Sequence, residues 1–71
     1  MKVRINLETL SDVTKFVAVT ERIPGKVCLT DGMGLKVNAK SLMGVIYTLE
    51  FEEIWVESDK DIYSQIADFV C

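Results

Sequence analysis

Histidine is absent from this 71-residue chain, and so is any run of about 18 apolar residues. The first absence excludes an imidazole nucleophile and the histidine ligands that many metal sites use. The second excludes a helix that spans a membrane. Residues Met1 to Leu10 alternate charged and apolar side chains, which is unlike the apolar block of a signal peptide. The sequence therefore predicts a cytoplasmic protein without a membrane partner.

Basic residues are also in short supply, with eight Lys and Arg against eleven Asp and Glu and a net charge of −3. They are scattered along the chain, so no basic patch is available for a nucleic-acid backbone. Cysteine occurs twice, as Cys28 in an apolar run and as Cys71 at the last position. This placement predicts two reduced thiols and no disulfide framework, in agreement with a reducing compartment.

Apolar residues, in contrast, are plentiful at 49% of the chain. That fraction supports a folded core and argues against intrinsic disorder. No internal repeat, linker or low-complexity segment interrupts the chain, and its length leaves no room for two cores. We therefore expect residues 1–71 to form a single domain.

Alternation of apolar and polar residues predicts strands at both ends of the chain. Val3, Ile5 and Leu7 alternate with polar neighbours and predict the first strand. The segment 51–57 predicts the last strand, in which two apolar residues face one side and two other residues face the opposite side, Ile54 with Val56 and Trp55 with Glu57.

A β-hairpin is predicted in the middle of the chain. The short runs Val27–Thr30 and Leu35–Asn38 flank the turn Asp31-Gly32-Met33-Gly34, whose two glycines suit a tight reversal.

Helical periodicity predicts three amphipathic helices. The first is capped by Thr9 or Ser11 and stopped by Pro24-Gly25, the second is capped by Ser41, and the third by Ser58 or Asp59. Their predicted apolar faces are, in order, Val13, Phe16, Val17, Thr20 and Ile23; Leu42, Val45, Ile46 and Leu49; and Ile62, Ile66, Phe69 and Val70.

The predicted order of elements is β-α-β-β-α-β-α, which is typical of an α+β fold. Cleanly alternating strands joined to amphipathic helices predict one antiparallel sheet with helices on one face and water on the other. The open face of that sheet is expected to carry Arg4, Cys28 and Trp55.

The decapeptide KVNAKSLMGV, Lys36 to Val45, closely resembles the regulatory-serine segment of the phosphocarrier HPr and of its relative Crh. It lies between a hairpin and a short helix, as that segment does. The resemblance implies an open-faced β-sandwich with strand order 1-4-2-3 and three helices on one side. It also implies a connection to the sugar phosphotransferase system and to carbon catabolite regulation.

One departure from that family decides the chemistry. The family's phosphorylated histidine corresponds here to Thr9 or Leu10, and the chain contains no histidine. A phosphate on Thr9 would be a stable ester with a poor leaving group, so relay of phosphate is excluded. Asp12, near the position of the family's arginine, would repel a phosphate at the helix start.

Ser41 has two roles that are compatible with each other. As an ordinary N-cap, its hydroxyl is worth about 1 kcal/mol. By resemblance it is also the serine that HPr kinase/phosphorylase modifies, with Lys40 placed to pair with the phosphate. The expected partners are therefore that kinase or a transcriptional regulator.

Three further side chains have open alternatives. Met43 and Tyr47, spaced i and i+4, are predicted to face outward, either as cover for the helix or as a docking surface for a partner. Trp55 either packs across strands against Arg4 and Cys28, with a cation–π contact, or belongs to a surface that binds protein.

The remaining residues favour no catalytic chemistry. Four carboxylates, Glu50, Glu52, Glu53 and Glu57, resemble a solvated rim, and no metal-ligand spacing accompanies them. No cofactor motif or nucleophile–base pair occurs. We therefore expect a protein that is not an enzyme and binds no cofactor or metal, either a regulatory relative of HPr or an interaction module of the same fold without phosphate chemistry.

Overall fold

The computed structural model describes all residues, Met1–Cys71. Its strands and helices run in the order β1 (Lys2–Ile5), α1 (Leu10–Thr20), β2 (Val27–Thr30), β3 (Lys36–Asn38), α2 (Leu42–Tyr47), β4 (Ile54–Ser58) and α3 (Tyr63–Ile66). Short 3-10 turns extend α2 over Thr48–Glu50 and α3 over Ala67–Phe69. None of the helices combines the length and the apolar character that crossing a membrane requires.

The four strands form one antiparallel sheet in the order β1-β4-β2-β3, with the helices on one face. This confirms the predicted fold class and matches the strand order that the resemblance implied. In β4, Val56 lies opposite Val3 of β1 and Leu29 of β2, and these side chains face the helices. Trp55 lies opposite Arg4 and Thr30 and faces the other way.

Helix α1 supplies a large part of the core. Val13 and Phe16 are fully buried, and the Phe16 ring meets the Phe69 ring edge-on with centroids 5.1 Å apart. The predicted apolar face is confirmed, because all five of its residues are buried: Val13, Phe16, Val17, Thr20 and Ile23.

The end of α1 lies earlier than predicted. The helix stops at Thr20, because the backbone N–H groups of Arg22 and Ile23 donate to carbonyls three residues back and tighten the turn. Pro24 therefore follows a helix that has already ended. The hydroxyl of Thr20 donates to the Ala39 carbonyl at 2.7 Å and joins this end of α1 to the segment before α2.

The predicted apolar face of α2 is wrong in two of its four positions. Val45 is fully buried and Leu49 is half-buried, but Leu42 and Ile46 are 46% and 39% exposed. The chain tightens into a 3-10 turn after Tyr47, which turns Thr48 inward, where its hydroxyl donates to the Val45 carbonyl. The buried line of α2 therefore follows the i, i+3 pair of Val45 and Thr48.

The cap predicted for the last helix is also wrong. Ser58 ends β4, paired with Val27, and Asp59 lies three residues before the N-cap position at Ile62, so neither predicted residue caps the helix. Helix α3 begins at Tyr63, whose N–H donates to the Asp61 carboxylate at 3.0 Å, and no side chain caps it from Ile62. Its predicted face is confirmed, with Ile62 and Ile66 buried and Phe69 and Val70 half-buried.

Strand bounds also differ slightly from prediction. Strand β2 has the predicted bounds, whereas β3 begins one residue later, at Lys36, and β4 spans Ile54–Ser58 where 51–57 was predicted. Residues 51–53 precede the strand because the 3-10 turn that follows α2 ends only at Glu50.

Candidate functional site

A capping box forms at the start of α1, where the resemblance places the phosphocarrier residue. The Thr9 hydroxyl accepts the Asp12 N–H at 3.1 Å, and the Asp12 carboxylate accepts the N–H groups of Glu8 and Thr9 at 3.0 and 3.3 Å. Leu10 is 61% exposed and makes no polar contact with its side chain. Of the two candidate positions for the phosphocarrier residue, Thr9 and Leu10, only Thr9 carries a hydroxyl.

The Asp12 carboxylate makes this helix start unsuited to phosphate. The hydrogen bond from the Glu8 N–H is the main cause that lowers the pKa of Asp12 below its usual value of 3.8, so the group is ionised at neutral pH. An arriving phosphoryl group would meet a negative charge where the family has a positive one. Among the first-turn N–H groups, that of Asp12 is already engaged by the Thr9 hydroxyl.

Ser41 lies at the start of α2 as predicted. Its backbone is extended, its hydroxyl accepts the Gly44 N–H at 3.2 Å, and its side chain is half-exposed. The first turn of α2 contains no acidic residue. A Cβ on Gly44 would lie 3.2 Å from the Asn38 carbonyl oxygen, so the glycine lets this turn pack closely against the end of β3.

Lys40 is engaged elsewhere. Its ammonium donates to the carbonyl of Ile23 and, at 2.6 Å, to that of Gly25, which ties the start of α2 to the loop after α1. A phosphate on Ser41 would have to compete with these two carbonyls for the charge of Lys40. The predicted pairing of Lys40 with phosphate therefore requires its side chain to move.

The outer side of α2 is apolar. Met43 is 82% exposed and Tyr47 is 53% exposed, as predicted. Leu42 and Ile46, which the sequence analysis placed in the core, join them at the surface. We call these four residues the α2 surface. They follow Ser41 directly in the chain, so the candidate regulatory serine and an exposed apolar surface share one short helix.

Trp55 lies half-buried on the open face of the sheet, as predicted, but its cationic neighbour is different. The Lys2 ammonium lies 5.5 Å from the centre of the ring, whereas Arg4 pairs with Glu53 at 3.8 Å. The indole N–H also donates to Glu53, at 3.2 Å. Arg4 is directly opposite Trp55, but its guanidinium pairs with the Glu53 carboxylate. The cation near the Trp55 ring is that of Lys2, which lies diagonally across the strands.

Cys28 is less central to the Trp55 site than predicted. Its direct cross-strand partners are Asn38 and Glu57, and Trp55 lies two residues from Glu57 along β4, opposite Thr30. The neighbour of the Trp55 ring is instead the turn of the hairpin, since a Cβ on Gly32 would lie 3.5 Å from the ring nitrogen. Gly32 has a φ of +80°, which a glycine adopts without strain.

Tyr47 and Trp55 line one cavity, of about 620 Å³, which sequence reasoning did not find. The hairpin turn and the segment after α2 form the rest of its wall. Met43 and Ser41 lie outside it. The structure therefore divides the predicted docking residues into the α2 surface, which begins next to Ser41, and a cleft that Tyr47 shares with Trp55.

The acidic residues form no metal centre: nowhere do three His, Cys, Asp or Glu side chains come together in a way that could hold a metal ion. Glu57 pairs with Lys36 at 3.0 Å and lies 3.9 Å from Lys2, and Glu53 pairs with Arg4. The Glu57 carboxylate raises the pKa of Lys36 above its usual value of 10.5, first through their hydrogen bond.

Comparison with protein-family models, curated proteins and solved structures gives no significant match. The likeness to HPr therefore depends on two features. One is the decapeptide around Ser41, and the other is the strand order β1-β4-β2-β3 of the sheet.

Proposed function

We propose that this chain is a regulatory protein of the HPr type that carries no phosphate on an imidazole and acts by docking to protein partners through α2. The observation that carries the proposal is the pairing on α2 of a half-exposed capping serine, Ser41, with four exposed apolar side chains. Exposed apolar surface next to a modifiable hydroxyl is the arrangement that a phosphate-controlled docking site needs.

The chain lacks the residue that a phosphocarrier of this type needs. Transfer through a covalent phosphoryl intermediate needs a nucleophile that is also a good leaving group, and the chain has no histidine. At the start of α1 the ionised Asp12 carboxylate supplies a negative charge. That charge disfavours a phosphoryl group at this position.

A phosphate on Ser41 is expected to change the surface without disturbing the fold. It adds a charge of about −1.5 to −2 at a helix start, where backbone N–H groups favour anions. No acidic side chain lies in the first turn of α2 to oppose it. A partner that offers an apolar groove and a cation would then distinguish the modified protein from the unmodified one.

The resemblance indicates which partners to test. HPr kinase/phosphorylase is the enzyme expected to modify Ser41, and a transcriptional regulator is the protein expected to read the modified α2 surface. Both belong to the cytoplasmic control of sugar uptake, and the two reduced cysteines agree with that compartment.

The test is intact-mass spectrometry after incubation with ATP and an HPr kinase/phosphorylase. We expect one added phosphate on the unmodified sequence, none on Ser41→Ala, and one on Ser11→Ala, which removes an exposed serine from the other helix start. Absence of phosphate while authentic HPr is modified in the same tube would contradict the proposal.

A second candidate, an interaction module of the same fold without phosphate chemistry, is favoured by the engagement of Lys40. Its ammonium donates to the carbonyls of Ile23 and Gly25, so it stabilises the loop after α1 and is not free to pair with a phosphate. Two measurements separate the candidates. The second candidate predicts no phosphate on the parent protein beside modified authentic HPr, and a loss of stability in Lys40→Met because two carbonyls lose their donor.

A further inference from the structure

The cleft between the hairpin turn and the end of α2 has an aromatic and apolar wall. Tyr47 and Phe51 meet edge-on, with ring centroids 5.8 Å apart, and Trp55 lines the same cavity. Met33, which is 90% exposed at the tip of the hairpin turn, and Leu35, which is 42% exposed, complete that wall. Aromatic and methionine side chains grouped in this way are typical of protein-binding surfaces.

The rim of the cleft is acidic. Asp31, Glu50, Glu52 and Glu53 line the cavity with one cation, Lys2, so four negative charges and one positive give a local charge of −3. Glu53 is paired with Arg4, but none of the ion pairs in the molecule involves Glu50 or Glu52. Both of these carboxylates are exposed, and they raise the local concentration of cations at the cleft.

The Trp55 ring already has a cation beside it. The Lys2 ammonium lies 5.5 Å from the ring centre, and its contact with the Glu57 carboxylate is long at 3.9 Å. Lys2 is a flexible side chain with half of its surface exposed. The protein's own ammonium therefore shows the contact that a basic side chain of another molecule can make with this indole.

We propose that this cleft binds a basic segment of a partner protein, with an arginine or lysine side chain placed against Trp55 and the unpaired carboxylates of Glu50 and Glu52. The acidic rim selects the charge of the segment, and the apolar wall binds the side chains next to its cation. Arginine suits the site better than lysine because its planar group stacks on an aromatic ring and pairs with a carboxylate at the same time.

This inference goes beyond the proposed function, because it requires neither phosphate on Ser41 nor membership of a family. Tyr47 belongs to both surfaces, so one partner can reach the cleft and the α2 surface together. Neutralising Glu50 and Glu52 is expected to leave modification of Ser41 unchanged, since neither residue belongs to the first turn of α2 or to the α2 surface. Failure of one proposal is thereby distinguishable from failure of the other.

The experiment uses the fluorescence of Trp55, the only tryptophan in the chain. The protein is titrated with a short, terminally blocked peptide of alternating arginine and leucine, and with the same peptide in which glutamate replaces arginine. We expect a saturable change in emission with the arginine peptide, weaker at higher ionic strength, and none with the glutamate peptide. The double variant Glu50→Gln/Glu52→Gln is expected to weaken binding about tenfold.

The matched control is Glu21→Gln/Asp68→Asn, which removes the same charge from residues that do not line the cleft. Equal weakening in both double variants would mean attraction to net charge alone and would overturn the proposal. So would the absence of any response to the arginine peptide. Self-association of the protein that competes with the peptide in sedimentation would assign the cleft to a second copy of this chain.

Discussion

Helices α1 and α2 begin in the same way and use their apolar side chains differently. Each is capped by a hydroxyl, Thr9 in one and Ser41 in the other, which accepts a backbone N–H three residues later. At α1 an ionised carboxylate, Asp12, completes the cap, whereas the first turn of α2 has no acidic residue. The Asp12 carboxylate thus opposes an added anion at the first helix start, and no acidic side chain of the first turn opposes one at the second.

The two helices also differ in what they bury. Helix α1 turns Val13, Phe16 and Val17 into the core, while α2 buries Val45 and leaves its other large apolar side chains at the surface. The comparison shows that similar caps do not imply similar roles. Helix α1 is used for stability, and α2 is a short element whose apolar surface is free for contact.

The largest effect that tests this division is expected at Phe16. Truncation in Phe16→Ala removes a fully buried ring that packs on Phe69 and is expected to cost about 3–5 kcal/mol of unfolding free energy. The matched change on the other helix, Met43→Ala, is expected to change it by about 0.5 kcal/mol or less, because Met43 is 82% exposed.

Urea denaturation followed by circular dichroism measures both variants. If Phe16→Ala does not fold, Phe16→Leu supplies a milder test, with an expected loss of up to about 1.5 kcal/mol. A loss at Met43 as large as that at Phe16 would show that α2 is packed as tightly as α1, which would contradict the comparison.

Loss of the caps is expected to have a smaller effect. Thr9→Ala and Ser41→Ala should each lower the unfolding free energy by about 1 kcal/mol, with the larger loss at Thr9, where a capping box is broken. Replacement by aspartate sharpens the contrast. Ser41→Asp is expected to keep the stability of α2, whereas Thr9→Asp places a second carboxylate beside Asp12 and is expected to lose stability.

Thermal unfolding of these four variants at neutral pH and low salt provides the measurement. Equal tolerance of aspartate at both positions would mean that Asp12 does not close the start of α1 to a second negative charge.

The smallest expected effect is a pH dependence confined to the start of α1. The folded pKa of Asp12 lies below its usual 3.8, mainly through the Glu8 N–H. Its contribution to stability is therefore complete above about pH 4 and is lost as the pH falls through the lower, folded value. In Asp12→Asn that contribution is missing at neutral pH, so its stability difference from the parent protein should shrink on acidification.

Melting temperatures of the parent and Asp12→Asn proteins, measured at neutral pH and at pH values below 4, test this expectation. Curves that stay parallel throughout would show that the charge of Asp12 does not stabilise the helix start.

Sequence reasoning succeeded where one local pattern decides the structure. The buried side of α1 follows from its helical period, and the hairpin follows from the glycines that flank Met33. A hydroxyl before an apolar run predicts the cap of α2 at Ser41, and limits the cap of α1 to Thr9 or Ser11, of which the structure uses Thr9. The strand order required the resemblance to a known family, since periodicity alone does not order strands.

Sequence reasoning failed where the outcome depends on backbone detail or on distant segments. Leu42 and Ile46 have the spacing of a buried face, but α2 buries only Val45, and the 3-10 turn after Tyr47 adds Thr48 to the buried side. The cation beside Trp55 is Lys2 because Glu53 holds Arg4, which only the strand register and side-chain positions reveal. The sequence did not predict the acidic cleft, because the residues that line it come from separate parts of the chain.

The measurement that tests the central claim most directly compares the two helix starts in one experiment. The protein is incubated separately with a charged donor enzyme of the sugar phosphotransferase system and with ATP and an HPr kinase/phosphorylase, and any phosphate is located by tandem mass spectrometry. We predict no phosphate at Thr9 by the first route and one phosphate at Ser41 by the second. Phosphate at Thr9, or an unmodified Ser41 beside modified authentic HPr, would contradict the account.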